Sequence, residues 1–98
     1  MTVRALWNGT ILAEAHSDEV SVVEGNVYFP PESINTEYLQ DSGSHTRCYW
    51  KGKANYYDVV VEGQDNADAA WYYPRPSRLA RHLKDKVAFW RGVKIEHC

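Results

Sequence analysis

The stretch that most restricts this chain is residues 3–7 (VRALW), then Asn8-Gly9, then residues 10–15 (TILAEA). Two β-prone runs flank two residues that tolerate positive φ. A type I′ turn needs positive φ at both central positions, so the stretch reads as a tight hairpin. A second hairpin is expected over residues 19–29, with Gly25-Asn26 between the arms. Pro30-Pro31 ends it, because proline cannot donate to a strand ladder. Residues 33–41 are ambiguous: Ile34, Tyr38 and Leu39 have helical spacing, but the segment is as short as one irregular turn.

Residues 42–44 (SGS) read as a loop and 45–50 as a strand. Lys51-Gly52-Lys53 reads as a three-residue turn whose glycine takes the left-handed conformation, and 54–61 as the return strand. Residues 63–68 are polar and turn-forming; 69–73 resume a strand that Pro74 and Pro76 end. The one helix expected is short, near residues 77–83, with Ser77 as its cap and Leu79 and Leu83 one turn apart. Residues 87–90 and 93–95 flank Arg91-Gly92 as final strands. Seven or eight short strands joined by hairpin turns, with one short helix, make a mainly β fold of antiparallel sheets.

A chain of 98 residues has room for one core, so residues 1–98 are expected to form a single domain. Four Trp and seven Tyr are many for that length. Large rings build a small core from few residues, but Tyr and Trp also carry polar handles that favour half-exposed positions. Their number points to a crevice open to solvent.

Net charge is −2, unevenly spread. Residues 1–46 hold Arg4 as the only cation, whereas residues 75–94 hold Arg75, Arg78, Arg81, Lys84, Lys86, Arg91 and Lys94 against Asp85 alone. Such asymmetry either draws two halves of one fold together or marks an anionic ligand. The acidic first half argues against nucleic acid as a partner. No apolar run has membrane-spanning length, and the first residues enter strand pattern without a secretory h-region. Two cysteines, Cys48 and Cys98, make no disulfide framework. A reduced, cytoplasmic setting without membrane contact is expected, and no cofactor is indicated.

Thr46, Cys48, Lys51-Gly52, Ala54 and Tyr56-Tyr57 are followed by Ala69-Ala70-Trp71, Tyr73-Pro74 and Val87-Ala88-Phe89. In order and spacing this series resembles the signature of the domain of unknown function 427 family. Asn8-Gly9 and Tyr28-Phe29-Pro30 fit as well, so the resemblance covers nearly the whole chain as a single copy. It implies a β-tent-like fold, two antiparallel sheets meeting at an angle. Some proteins of that shape hold zinc with two Cys-x-x-Cys pairs, a pattern this sequence lacks. A nucleotidyltransferase-like label also attaches to the family, yet the chain has no Gly-rich phosphate loop and no paired aspartates at metal-binding spacing.

Three function classes stay open. The first is a binding module with an aromatic-walled cleft where the sheets meet, for a small anionic or heterocyclic ligand. Trp50, Tyr57, Trp71 and Tyr73 would wall it, Ala69 would leave space, and Lys51 and Arg75 would supply charge at the rim. The second is a cysteine-dependent or nucleotidyltransferase-like enzyme centred on Cys48 and Lys51. A thiolate nucleophile needs a neighbouring base or cation, and His45, three positions from Cys48, falls on the other face of a regular strand. The third is a homodimer that resolves uncovered sheet edges by pairing. A metal reading, which gathers His45, Cys48, His97 and Cys98, has the ligand types for tetrahedral zinc, but consecutive residues of an extended strand diverge.

Overall fold

Four Xaa-Gly dipeptides, each with positive φ at both residues, set where this chain turns: Asn8-Gly9, Glu24-Gly25, Glu62-Gly63 and Arg91-Gly92. The first three join strands in antiparallel register, and primed turns match the natural twist of such strands. The computed structural model describes residues 1–98. Its strands are β1 (Thr2–Trp7), β2 (Thr10–His16), β3 (Ser21–Val23), β4 (Asn26–Tyr28), β5 (Leu39–Cys48), β6 (Gly52–Val61), β7 (Gln64–Tyr72), β8 (Val87–Phe89) and β9 (Lys94–His97). The helical pieces are 3₁₀ turns at Ser17–Glu19, Pro31–Ser33, Thr36–Tyr38 and Arg78–Leu83.

The fold is mainly β, as expected, and all its sheets are antiparallel. There are three: β2-β1-β9, β3-β4 and β5-β6-β7-β8. The two larger sheets are joined by a small ribbon, β3-β4, which is tied to β8 by reciprocal hydrogen bonds between Phe29 and Val87 (2.8 and 2.9 Å). No helix is long and apolar enough to cross a membrane.

Each face of the four-stranded sheet is covered by something different. Val59, Val61, Ala69, Ala70, Val87 and Phe89 pack with Val3, Ala5, Leu12, Ala13 and Ala15 of the three-stranded sheet, around the fully buried Phe29. This is the inner face. On the outer face Ala54, Trp71, Tyr73 and Ala88 pack with Tyr28 from the ribbon and with Ala80 and Leu83 of the Arg78–Leu83 turn. Strand alternation explains the division: Ala70 and Tyr72 point inward, Trp71 and Tyr73 outward.

Several boundaries differ from the sequence reading, each for a local reason. The second hairpin turns at Glu24-Gly25 rather than Gly25-Asn26, because Val23 pairs with Asn26. Residues 42–44 are a bulge within β5, with Gly43 in the left-handed region (φ 81°) as the ladder shifts between Asp41 and His45. Polar residues 64–66 belong to β7, where the exposed end of the β6–β7 hairpin has little core to face. Ala69 lies in the inter-sheet cluster and not beside Trp71. The β6–β7 register slips just before it, at Asp68, whose φ is 54° and whose N–H donates to Asp58 Oδ1 at 2.9 Å.

The predicted helix forms as a kinked 3₁₀ turn. Its three-residue period buries Ala80 and Leu83 together and leaves Leu79 76% exposed, so the expected Leu79–Leu83 pair does not form. Ser77 makes no side-chain cap there; its hydroxyl donates instead to the Trp50 carbonyl.

Candidate functional site

The hairpin between β5 and β6 turns through Tyr49, Trp50 and Lys51, with Cys48 opposite Gly52. Gly52 has φ +113°, a conformation L side chains rarely adopt, and its bare α-carbon lets the segment 75–77 pass close by. A Cβ at that position would meet the Arg75 carbonyl oxygen at 3.2 Å. The Ser77 N–H donates to the Lys51 carbonyl at 2.9 Å, and the Ser77 hydroxyl to that of Trp50. This latch folds Trp50 and Lys51 back over the outer face.

Lys51 is the one buried charged residue, 6% exposed. Its ammonium pairs with Glu24 on the ribbon's turn and lies 5.4 Å from the ring centre of Trp50 and 5.6 Å from that of Tyr73. An unpaired buried ammonium is costly; here a carboxylate and two ring faces compensate it. Burial works to lower the Lys51 pKa, but the Glu24 hydrogen bond and the phenols of Tyr28 and Tyr73 outweigh it and hold it above the ordinary lysine value. The same hydrogen bond holds the Glu24 carboxyl below its ordinary value. Burial, with Tyr28 adding and Lys51 opposing, pushes the Tyr73 phenol up to about 12.

Trp71 is the hub of the rings. It meets Tyr28 edge-on at 6.2 Å, Trp90 edge-on at 5.6 Å and Tyr56 tilted at 6.4 Å, and its indole N–H donates to the Tyr28 hydroxyl at 3.2 Å. Such pairs each add roughly 0.5–1.5 kcal/mol beyond buried area. Tyr56 is held from its far end by Thr46, hydroxyl to hydroxyl at 2.9 Å. Trp90 is fixed by its N–H on the Asp68 carbonyl at 2.6 Å and covered on one side by the Arg91 guanidinium, 4.7 Å from the ring centre. Between these rings opens a cleft of about 230 Å³ lined by Asn26, Lys51, Tyr56, Trp71, Tyr73 and Trp90. Trp71 and Tyr73, 9% and 4% exposed, form its floor; Trp90, 42% exposed, offers ring surface to solvent.

Of the residues singled out in the sequence, Lys51, Trp71 and Tyr73 line this cleft and Trp50 packs beside it. The cleft is on the outer face of one sheet, whereas the junction of the two large sheets is filled by side chains. Tyr57 points inward, stacked on Tyr72 at 4.8 Å and 17°, and lines a separate recess with Ile34, Leu39 and Val87. Burial, followed by the influence of Tyr72, pushes its phenol up to about 12. Arg75 borders a third recess with Lys53, Asn55 and Pro74. Cys48 is half-buried against the aromatic cluster, while His45 lies on the opposite face with Nδ1 2.7 Å from Asn55 Oδ1.

His45, Cys48, His97 and Cys98 are not brought together. Cys98 lies at the β1–β9 end with Sγ 3.5 Å from Arg4 Nη1, and no group of three or more His, Cys, Asp or Glu side chains has metal-holding geometry. Sequence reasoning missed Asn26, Tyr28, Tyr56 and Trp90. Tyr56 was legible, since it shares the face of Ala54 on the strand opposite Trp71; Tyr28 and Trp90 arrive from remote segments, and no local pattern announces that.

A family model described as a domain of unknown function, DUF427, matches residues 1–98. No curated protein matches the chain.

Proposed function

The chain belongs to the DUF427 family, and from that premise we propose that it is a binding module whose outer-face cleft takes a small heterocyclic ligand bearing an anionic or acceptor group. The observation that carries this reading is the gradient of exposure across touching rings. Trp71 is nearly sealed, and Trp90, edge-on to it at 5.6 Å, is 42% open. Rings that only filled a core would be covered as Phe29 is. A flat ligand fits between Tyr56 and Trp90 above the Trp71 floor, where ring contacts are favourable and few polar groups compete.

Lys51 and Asn26 supply the polar contacts. Because Lys51 is held charged, it serves as a cation and donor rather than as an amine nucleophile. Its partner Glu24 keeps a side chain 54% exposed, so a carboxylate or phosphate on a ligand competes for an accessible place. This favours binding over an enzyme centred on Cys48 and Lys51, as does His45 lying on the face away from Cys48. The bulge in β5 also works against a homodimer formed through that edge, since bulged edges pair poorly.

The test is Trp90→Ala with a panel of heterocyclic carboxylates, followed by intrinsic fluorescence and amide NMR. Compounds that bind the parent are expected to lose about tenfold in affinity, the worth of one good ring contact, while the fold persists. Binding that is unchanged in the variant, or that perturbs only residues outside the cleft, refutes the reading.

A further inference from the structure

On the inner face of the four-stranded sheet, beyond the inter-sheet cluster, lies a recess of about 340 Å³ bordered by Lys53, Asn55, Pro74 and Arg75. Arg47 is the direct cross-strand partner of Lys53, and His45 of Asn55, so these four side chains share that face. Two cations, Lys53 and Arg75, therefore border one concavity, and a third, Arg47, stands directly across the strand pair from Lys53. All three are exposed, and none takes part in the molecule's ion pairs, which are Arg4–Glu14, His16–Asp18 and Lys51–Glu24.

Like charges directly opposite on a sheet are destabilising, and no carboxylate compensates Arg47 facing Lys53. The arrangement is also held in place. Arg75 follows the end of β7 at Tyr72, and its backbone is pressed against Gly52, where even a methyl group would be 3.2 Å from its carbonyl oxygen. Asn55 Oδ1 is engaged by His45 Nδ1 at 2.7 Å, and its side-chain amide donates to the Tyr72 hydroxyl at 3.4 Å with one of its two N–H groups, which leaves the other as a further donor. Lys53, Asn55 and Arg75 thus offer donors around the recess, and Pro74 offers none.

We propose that this recess binds the phosphate group of a small phosphate monoester or diphosphate. Arg47 and Arg75 supply planar forks matched to phosphate oxygens, and Lys53 supplies a point charge between strands. A carboxylate offers a single charge to the two bordering cations, whereas a phosphate monoester offers roughly two and three acceptor oxygens. The site is separate from the aromatic cleft, which opens on the other face of the same sheet, and it stands or falls independently of the ligand proposed there.

The experiment is an amide NMR titration with sodium pyrophosphate, run against sodium chloride at matched ionic strength. Saturable shifts are expected at Arg47, Lys53, Asn55 and Arg75, absent with chloride. Lys53→Gln and Arg75→Gln are each expected to weaken binding roughly tenfold or more, the worth of one charge-assisted hydrogen bond, while Lys84→Gln leaves it unchanged. All three substituted residues are exposed, so the variants are expected to keep the parent's spectral dispersion. Equal shifts with chloride, or shifts spread without saturation over Arg78, Arg81 and Arg91, overturn the proposal. Tighter binding of a single-stranded uridine decamer than of pyrophosphate, with shifts extending to Arg78 and Arg81, also overturns it by making the basic residues a nucleic-acid surface.

Discussion

The inner and outer faces of the four-stranded sheet are both buried, but by different chemistry. The inner face meets the three-stranded sheet through Val, Ala, Leu and Phe, side chains with no polar atom to satisfy. The outer face is closed by Tyr28, Trp71, Tyr73 and Lys51, each carrying a polar atom, and no buried side-chain nitrogen or oxygen is left without a partner. Joining two sheets requires only close packing, which aliphatic residues provide cheaply in rotamer entropy. Covering a sheet while leaving one side open to water requires groups that tolerate both media, and Tyr, Trp and Lys do. The difference locates the cleft on the outer face.

The largest effect that bears on this comparison comes from truncating one residue on each side. Leu12→Ala on the inner side is expected to cost about 2–5 kcal/mol and Trp71→Ala on the outer side about 3–5 kcal/mol, read from denaturant midpoints. Both are nearly sealed. A Trp71→Ala variant that loses under about 1 kcal/mol would mean that the outer face is a loose cover rather than a second core.

Gly52→Ala comes next. It places a side chain at φ +113° and pushes against the Arg75 backbone, at an expected cost of about 1–3 kcal/mol in thermal or chemical denaturation. Because Gly52 anchors the latch over Trp50 and Lys51, the indole of Trp50 is expected to shift in NMR spectra while the inter-sheet cluster around Phe29 does not.

The smallest effect is graded with pH. Tyr57 on the inner face and Tyr73 on the outer both have phenols raised to about 12 from the ordinary 10.0, chiefly by burial. The unfolded chain releases these protons first. Their contribution to stability is therefore whole below about pH 10 and is lost as pH rises to about 12. Tyr57→Phe and Tyr73→Phe are each expected to flatten the fall in stability over that window, followed by unfolding midpoints at successive pH values. A change for Tyr57 alone would show water reaching the floor of the cleft.

Much of the fold was legible in the sequence, and particular residues show where legibility stopped. Asn8-Gly9 turned where its backbone preferences require. The alternation Trp71, Tyr73 against Ala70, Tyr72 placed two ring pairs on opposite faces. Glu24, Glu62 and Arg91 were harder, since none is a usual residue for positive φ; pairing of the flanking strands and the following glycine put Glu24 and Glu62 there, and Arg91 sits where the chain crosses from one large sheet to the other. Leu79 and Leu83 look alike in sequence, and only the three-residue period of the 3₁₀ turn decides which is buried. Tyr57, grouped with Trp71 in the sequence reading, lies at another recess because a strand's two faces never meet, and Arg75 does because the chain leaves the strand and bends at Pro74 before reaching it.

By itself the sequence determined what depends on neighbours along the chain: hairpin turns, strand alternation, the antiparallel mainly β class and the membership of residues 1–98 in one family. Tertiary structure alone decided that Lys51 and Glu24, Tyr28 and Trp71, and Trp90 and Trp71 would meet. The physical reason is range. Backbone preference acts over a few residues, whereas the cleft is assembled from segments up to 64 positions apart (Asn26 to Trp90), whose meeting depends on how the sheets bury apolar surface as a whole.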